Sequence, residues 1–273
     1  MAKLNWFHAN DNDIASQVRP RISTVVLLIN GTRRWFLSRH SDWTRYPQAT
    51  AAAHRRVSQL FYDHGISTLI QPLFGFDLFD RGEDYLQFVL KHSLTAMADE
   101  DYALWYRAAR IRVSFYGAWR EALASLGLPE IVEVLDDIAH STRQHTDRNL
   151  LIGLFADRAL DDIVSLAKGC QSGQDLVERY YGLSVPAIDF VVGSGQPALW
   201  DIPLLDFNQA SLYFLKAPTF FITREVVRRI LHDHLFERLP DDNVGAFFPQ
   251  SQKWNSEEVL GVGQRTPLGW VAQ

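Results

Sequence analysis

Cysteine is almost missing from this chain: Cys170 is the only one in 273 residues, so neither an intramolecular disulfide nor a cysteine-rich zinc site can be built. A reducing compartment is the expectation. Long apolar runs are missing too. No stretch reaches the roughly 18 apolar residues of a membrane span, and residues 1–13 carry no apolar core of signal-peptide length. Nor is positive charge in excess. With 27 Lys+Arg against 32 Asp+Glu the formal net charge is -5, which argues against a general nucleic-acid binder, because that affinity rests on neutralising many phosphates. An anionic ligand must then be held by a local cluster. There is no Gly-Lys-Ser/Thr phosphate loop, and Gly193-Ser194-Gly195 lacks the rest of a dinucleotide fingerprint. Repeats and low-complexity tracts are absent.

The remaining composition, 47% hydrophobic and 22% charged, is that of an ordinary globular protein with a large core. Apolar, β-branched runs at 25–29, 67–74, 111–116, 149–155 and 187–192 alternate with segments of helical periodicity. That alternation predicts an α/β fold with a central, mostly parallel sheet flanked by helices. Helices are predicted at 48–64, ending at Gly65, at 129–140, and at 223–238 with Thr223 as N-cap. The stretch 239–252 reads as a loop, and 259–270 as a tail that docks back. The expectation is a single cytoplasmic domain over 1–273, with 1–20 as an N-terminal extension and 239–273 as the C-terminal loop and tail.

Chemistry is announced at one place. Residues 25–36, Val-Val-Leu-Leu-Ile-Asn-Gly-Thr-Arg-Arg-Trp-Phe, run from a buried strand through Asn30-Gly31 to two adjacent arginines. The C-terminal end of such a strand is where open α/β sheets place their ligands. Arg33 and Arg34 suit a diphosphate, whose oxygens accept charge-assisted bonds from guanidinium and from N–H groups of a following helical turn. An Arg-Arg pair beside aromatics is also common on ordinary surfaces.

The order strand, Asn-Gly-Thr-Arg-Arg-Trp, helix resembles the cis-prenyltransferase (undecaprenyl diphosphate synthase-like) superfamily, whose first strand ends in Asp-Gly-Asn-Arg-Arg-Trp. The nearer likeness is to its terpene synthase branch, that of the tuberculosinol, tuberculosinyl adenosine and kolavelool synthases, where the motif runs Asp-Gly-Thr-Arg-Arg-Trp-Phe. Matching blocks include His64-Gly65-Ile66, Phe79-Asp80-Arg81-Gly82, Phe115-Tyr116-Gly117, Ser211-Leu212-Tyr213-Phe214 and Arg228-Arg229-Ile230-Leu231, in preserved order from about residue 22 to 270. The resemblance implies a hydrophobic tunnel beside the sheet, a homodimer, and diphosphate contacts from Gly31, Thr32, Arg33 and Arg34.

Two departures shape the expected reaction. Asn30 stands where the motif has a magnesium-binding aspartate, and an amide lacks the charge a hard cation prefers. Magnesium would then be held by the substrate's diphosphate, with no metal ligand assigned to the protein. The stretch 193–200, where chain-elongating members carry two arginines for a second diphosphate, has no basic residue, and Ser211 lies near their expected metal-binding glutamate. The resemblance thus implies an enzyme that ionises one allylic diphosphate without extending it. Its substrate would be a bicyclic C20 compound, kolavenyl or halimadienyl (tuberculosinyl) diphosphate, supplied by a class II diterpene cyclase. Water capture would give a tertiary alcohol such as kolavelool or tuberculosinol. The alternatives are transfer to a nucleoside such as adenosine, or a non-catalytic partner subunit.

Asn30, Arg33, Arg34 and Tyr46 are the candidate catalytic residues, Tyr46 because the relatives have a tyrosine there and a phenol can orient water or relay a proton. Trp35, Phe74, Phe76, Tyr85, Phe115 and Phe155 offer aromatic faces to a carbocation, although most aromatics at strand ends are core. Arg158 either reaches the diphosphate from the fourth strand or pairs with Asp161 or Asp162 on its own helix. In Phe76-Asp77-Leu78-Phe79-Asp80, two carboxylates three apart share one side of a helical turn and read as a cap or salt-bridge pair. His232 and His234, at i and i+2, fall on different helix faces and do not read as a metal site.

Overall fold

The computed structural model describes residues 5–237, 264–266 and 269–271. Six strands form the main sheet: β1 (Thr24–Leu27), β2 (Thr68–Phe74), β3 (Ile111–Tyr116), β4 (Arg148–Leu154), β5 (Phe190–Ser194) and β6 (Ser211–Leu215). They pair in the order β3-β4-β2-β1-β5-β6, every pairing parallel. The apolar runs lack alternation because both faces are covered. Val25 and Leu27 point into one core, Val26 and Leu28 into a second on the opposite face. The first four expected strands appear within a few residues of their predicted bounds. The fifth is displaced to Phe190–Ser194, since Ile188 donates its N–H to Asp206 instead of entering the ladder. Periodicity gave no notice of β6, an edge strand whose Leu212 is exposed.

Helix α1 (Asp11–Val18) precedes β1, and the crossovers from β1 to β5 carry α2 (Thr32–Leu37), α3 (Tyr46–Asp63), α4 (Glu83–Ala96), α5 (Glu100–Ala108), α6 (Trp119–Ser125), α7 (Pro129–Thr142), α8 (Ala159–Ala167) and α9 (Gly173–Tyr181), while α10 (Arg224–His232) follows β6. The helix expected from residue 48 begins at Tyr46, because Pro47 fits the first turn, where its missing N–H is no loss. Thr223 caps α10 by accepting from the Val226 N–H. The helix expected to continue to 238 instead widens into a π-turn at Asp233–Glu237. There His232 pairs with Glu237 at 3.2 Å and His234 with Ser211 at 3.1 Å, so the two imidazoles serve different partners. The expected loop at 239–252 lies outside the described residues. Of the tail, Gln264–Thr266 and Gly269–Val271 form an antiparallel pair, β7 and β8. Among the described residues no helix is long and apolar enough to cross a membrane.

This topology locates a crevice. The connection from β1 leads to β2 on one side, and that from neighbouring β5 leads to β6 on the other. Crossovers that diverge in this way leave a cleft beyond the strands' carboxyl ends, the usual ligand position in open α/β sheets.

Candidate active site

Asn30 and Gly31 follow β1 into that crevice. Gly31 adopts φ +75, and a Cβ there would sit 2.9 Å from Pro218 Cβ and 3.0 Å from Arg34 Nη2. Both conformation and space therefore require glycine. The turn is anchored from below by buried Thr219, whose hydroxyl donates to the Leu28 carbonyl at 2.9 Å and accepts from the Asn30 N–H at 3.1 Å. The Asn30 side-chain amide donates to the Ser194 carbonyl at 3.2 Å, and the Thr219 N–H donates to the Asn30 carbonyl at 3.1 Å. Asn30 thus fastens the end of β1 to the end of β5.

Above the turn lies a cavity of about 810 Å³. Asn30, Gly31, Thr32, Arg33, Arg34, Tyr46, Phe74 and Tyr85, all anticipated from the sequence, line it together. The Arg33 guanidinium lies 5.2 Å from the Tyr85 ring centre, a cation–π contact that holds the charge at the mouth. Arg34 lies against Gly31. The Tyr46 and Thr32 hydroxyls are 2.8 Å apart, and burial pushes the Tyr46 phenol up to about 12, so it is neutral at physiological pH. Tyr46 is only 5% exposed and packs edge-on to Phe36 and Trp43, so its ring is fixed in the wall.

Consecutive residues of a strand ordinarily face opposite sides, yet Leu73 and Phe74 both line the cavity. The pairing of β2 with β4 shifts register between Pro72 and Phe74, where proline has no N–H for the ladder. The irregularity turns both side chains inward. Behind them an apolar extension of about 90 Å³ continues between α3 and α4. It ends at His54, whose ring nitrogens lie 2.8 Å from the Tyr102 hydroxyl and 2.5 Å from Gln71 Oε1. Burial lowers the His54 pKa to about 4, leaving this end of the cavity uncharged near neutrality.

Trp35, Phe76, Phe115, Phe155 and Arg158 do not line the cavity. Trp35 turns into the core, edge-on to Phe220 at 5.2 Å. Phe76 and Phe155 pack together at 5.3 Å, and Arg158 lies 4.3 Å over the Phe76 ring instead of reaching the arginine turn. Phe115 packs against Trp119 at 5.8 Å.

Asp77 lines the opposite wall, in the 3₁₀ turn Phe76–Arg81. It shares the surroundings of Gly75 with Asp157 and Asp201: their oxygens lie 3.2–3.3 Å from the position a Cβ on Gly75 would take. Asp157 accepts from the Phe76 N–H at 2.9 Å. Asp201, held at φ +56 with its carbonyl accepting from the Tyr116 hydroxyl at 3.0 Å, has its pKa raised to about 7 by burial and then by Asp157 and Asp77. The trio surrounds Gly75 without forming a chelate. Among the described residues no group of three His, Cys, Asp or Glu side chains is arranged to hold a metal.

Leu37, Trp43, Leu78 and Val89 also line the cavity and were not anticipated. A signal existed for one: Tyr85, Val89 and Ser93 recur every fourth residue and face the cavity or its extension from one stripe of α4. Leu37 and Trp43 are large apolar side chains left 59% and 41% exposed at the mouth, a pattern legible only in three dimensions.

Fold and site together define a parallel α/β protein with an arginine turn and an apolar-walled cavity at the switch point of its sheet. Solved structures share this fold. A probable undecaprenyl diphosphate synthase from Campylobacter jejuni matches with a TM-score of 0.57, covering 78% of this chain and 95% of its own, at 15% identity. Lavandulyl diphosphate synthase from Lavandula x intermedia, in complex with dimethylallyl diphosphate, matches with a TM-score of 0.54, covering 78% and 94%, at 13% identity. No family model matches the chain. In sequence it is 32% identical over 228 residues to the tuberculosinyl adenosine transferase of Mycobacterium tuberculosis (strain CDC 1551 / Oshkosh), covering 80% of this chain and 76% of the transferase. The chain belongs to the cis-prenyltransferase superfamily of enzymes, in the branch of that transferase.

Proposed function

We propose that this enzyme ionises a bicyclic C20 allylic diphosphate of the tuberculosinyl (halimadienyl) or kolavenyl type and transfers the hydrocarbon to a nucleoside such as adenosine. The reading is carried by the kinship with a tuberculosinyl adenosine transferase, combined with a cavity that has an arginine turn on one side and apolar walls on the other. The carbon–oxygen bond breaks with its electron pair leaving on diphosphate, which Arg33, Arg34 and Thr32 receive. Such preorganised donors act where charge develops, in a site partly shielded from water. Phe74, Tyr85 and Leu73 face the allylic cation, and the hydrocarbon points towards the His54 end. A nitrogen lone pair of the nucleoside then forms the new carbon–nitrogen bond.

Capture by water, the main expectation from the sequence, has less support, since the curated relative is a transferase. Any magnesium enters with the substrate's own oxygens, because the Asn30 amide is committed to Ser194 and supplies no charge. A class II cyclase would supply the bicyclic substrate. The test is incubation of the full chain with tuberculosinyl diphosphate, with and without adenosine, followed by mass spectrometry and a diphosphate assay. An adenosine adduct is expected. Alcohol alone in both reactions would restore the water reading, and no diphosphate release would end both.

A further inference from the structure

We propose that the end of the sheet opposite the cavity carries a second anion site, which takes a small phosphate or diphosphate anion. A hollow of about 370 Å³ lies there, and its lining includes Arg19, Arg110 and Arg148 with Asp147 as the one carboxylate. These residues come from distant parts of the chain. Arg19 follows α1, Arg110 sits in the turn between α5 and β3, and Arg148 opens β4. Because the strands are parallel, their amino ends lie away from the arginine turn, by about 23 Å over the seven residues of β2 at about 3.3 Å each. The two sites are distinct.

Three guanidinium groups against one carboxylate give a local surplus of two positive charges on a chain whose formal net charge is -5. Arg148 is preorganised: it donates to the Ala109 carbonyl at 3.3 Å and lies 5.3 Å from the Tyr62 ring centre. Arg110 pairs with Asp147 at 3.1 Å, but both side chains are 54% exposed, and so open an ion pair holds its partners weakly. An incoming anion can therefore recruit Arg110. Arg19 projects from the exposed end of α1, against Gly65. Planar guanidinium groups brought to one hollow from three elements suit the several oxygens of a phosphate or diphosphate.

The experiment is calorimetric titration of the full chain with inorganic diphosphate, without added metal. Wild type should bind two equivalents. Arg19→Ala/Arg110→Asn, with asparagine chosen because Arg110 sits at φ +49, should bind one, and so should Arg33→Ala/Arg34→Ala. Arg19→Ala alone should weaken the hollow about tenfold, as loss of one charge-assisted contact does. Should the double variant melt early, this single exposed substitution decides. An isotherm unchanged by the Arg19 and Arg110 substitutions would overturn the hollow. One equivalent in wild type, lost with Arg19 and Arg110 but kept without Arg33 and Arg34, would keep the hollow and sink the diphosphate role of the turn.

Discussion

The side-chain amide of Asn30 donates to the backbone carbonyl of Ser194, 3.2 Å away across the carboxyl ends of β1 and β5. An aspartate at this position could not make that bond, because an ionised carboxylate has no proton to give and would face a carbonyl oxygen. The departure from the superfamily motif is thus also a structural fastening at the switch point. Asn30→Asp should lower unfolding stability by about 1–3 kcal/mol at pH 8, and by more than Asn30→Ala does, since it adds repulsion to the lost donor. Urea unfolding of the three proteins measures this. An aspartate variant as stable as wild type would mean the bond contributes nothing.

Arg33→Ala and Arg34→Ala should each reduce turnover of the allylic diphosphate by about 10²–10³, the usual effect of removing one donor to a developing anion. Arg33 is exposed, so its loss should leave the melting temperature nearly unchanged. Single-turnover kinetics on the folded variants is the measurement. Rates like wild type in both would remove the arginines from the chemistry.

Tyr46→Phe removes the hydroxyl that lies 2.8 Å from Thr32 and keeps the ring that packs on Phe36 and Trp43. Because burial has pushed the phenol up to about 12, no rate change between pH 7 and 10 should come from its ionisation. If the hydroxyl orients the acceptor, kcat should drop about tenfold or more with KM little changed. Equal kcat in the two enzymes would assign Tyr46 to packing alone.

Asp201 makes the protein's stability depend on pH. Its folded pKa, about 7, lies above the usual carboxylate value of 3.8, so the folded state holds the proton more tightly. The stabilising contribution is complete below about pH 4 and is lost as the pH rises through 7. Asp201→Asn, neutral throughout, should flatten this part of the profile and unfold later than wild type at pH 8. Melting curves from pH 4 to 8 test it, and parallel profiles for both proteins would contradict the raised pKa.

Much of the site was legible because its signals are local. An apolar run without alternation, a glycine that must turn, and two arginines directly after it all lie within residues 25–36, and the turn stands at the cavity as expected. Phe76, Phe155 and Arg158 were harder. Whether a side chain at a strand end turns into the cavity or against its neighbours is decided by packing, and these three pack on one another. Asp157 and Asp201, 44 positions apart, meet beside Gly75 only because β4 and the segment after β5 end at the same face of the sheet.

By itself the sequence determined the parallel α/β class, the position of the arginine turn, and the absence of a basic counterpart at 193–200. Those features depend on periodicity, backbone sterics and residue type, which are properties of short segments. Tertiary structure alone decided that Asn30 fastens β5, that a register shift at Pro72 turns Leu73 and Phe74 inward together, and that Asp201 lies among carboxylates. Each of these depends on which distant strand ends meet, and that is set by how the crossovers bury both faces of one sheet.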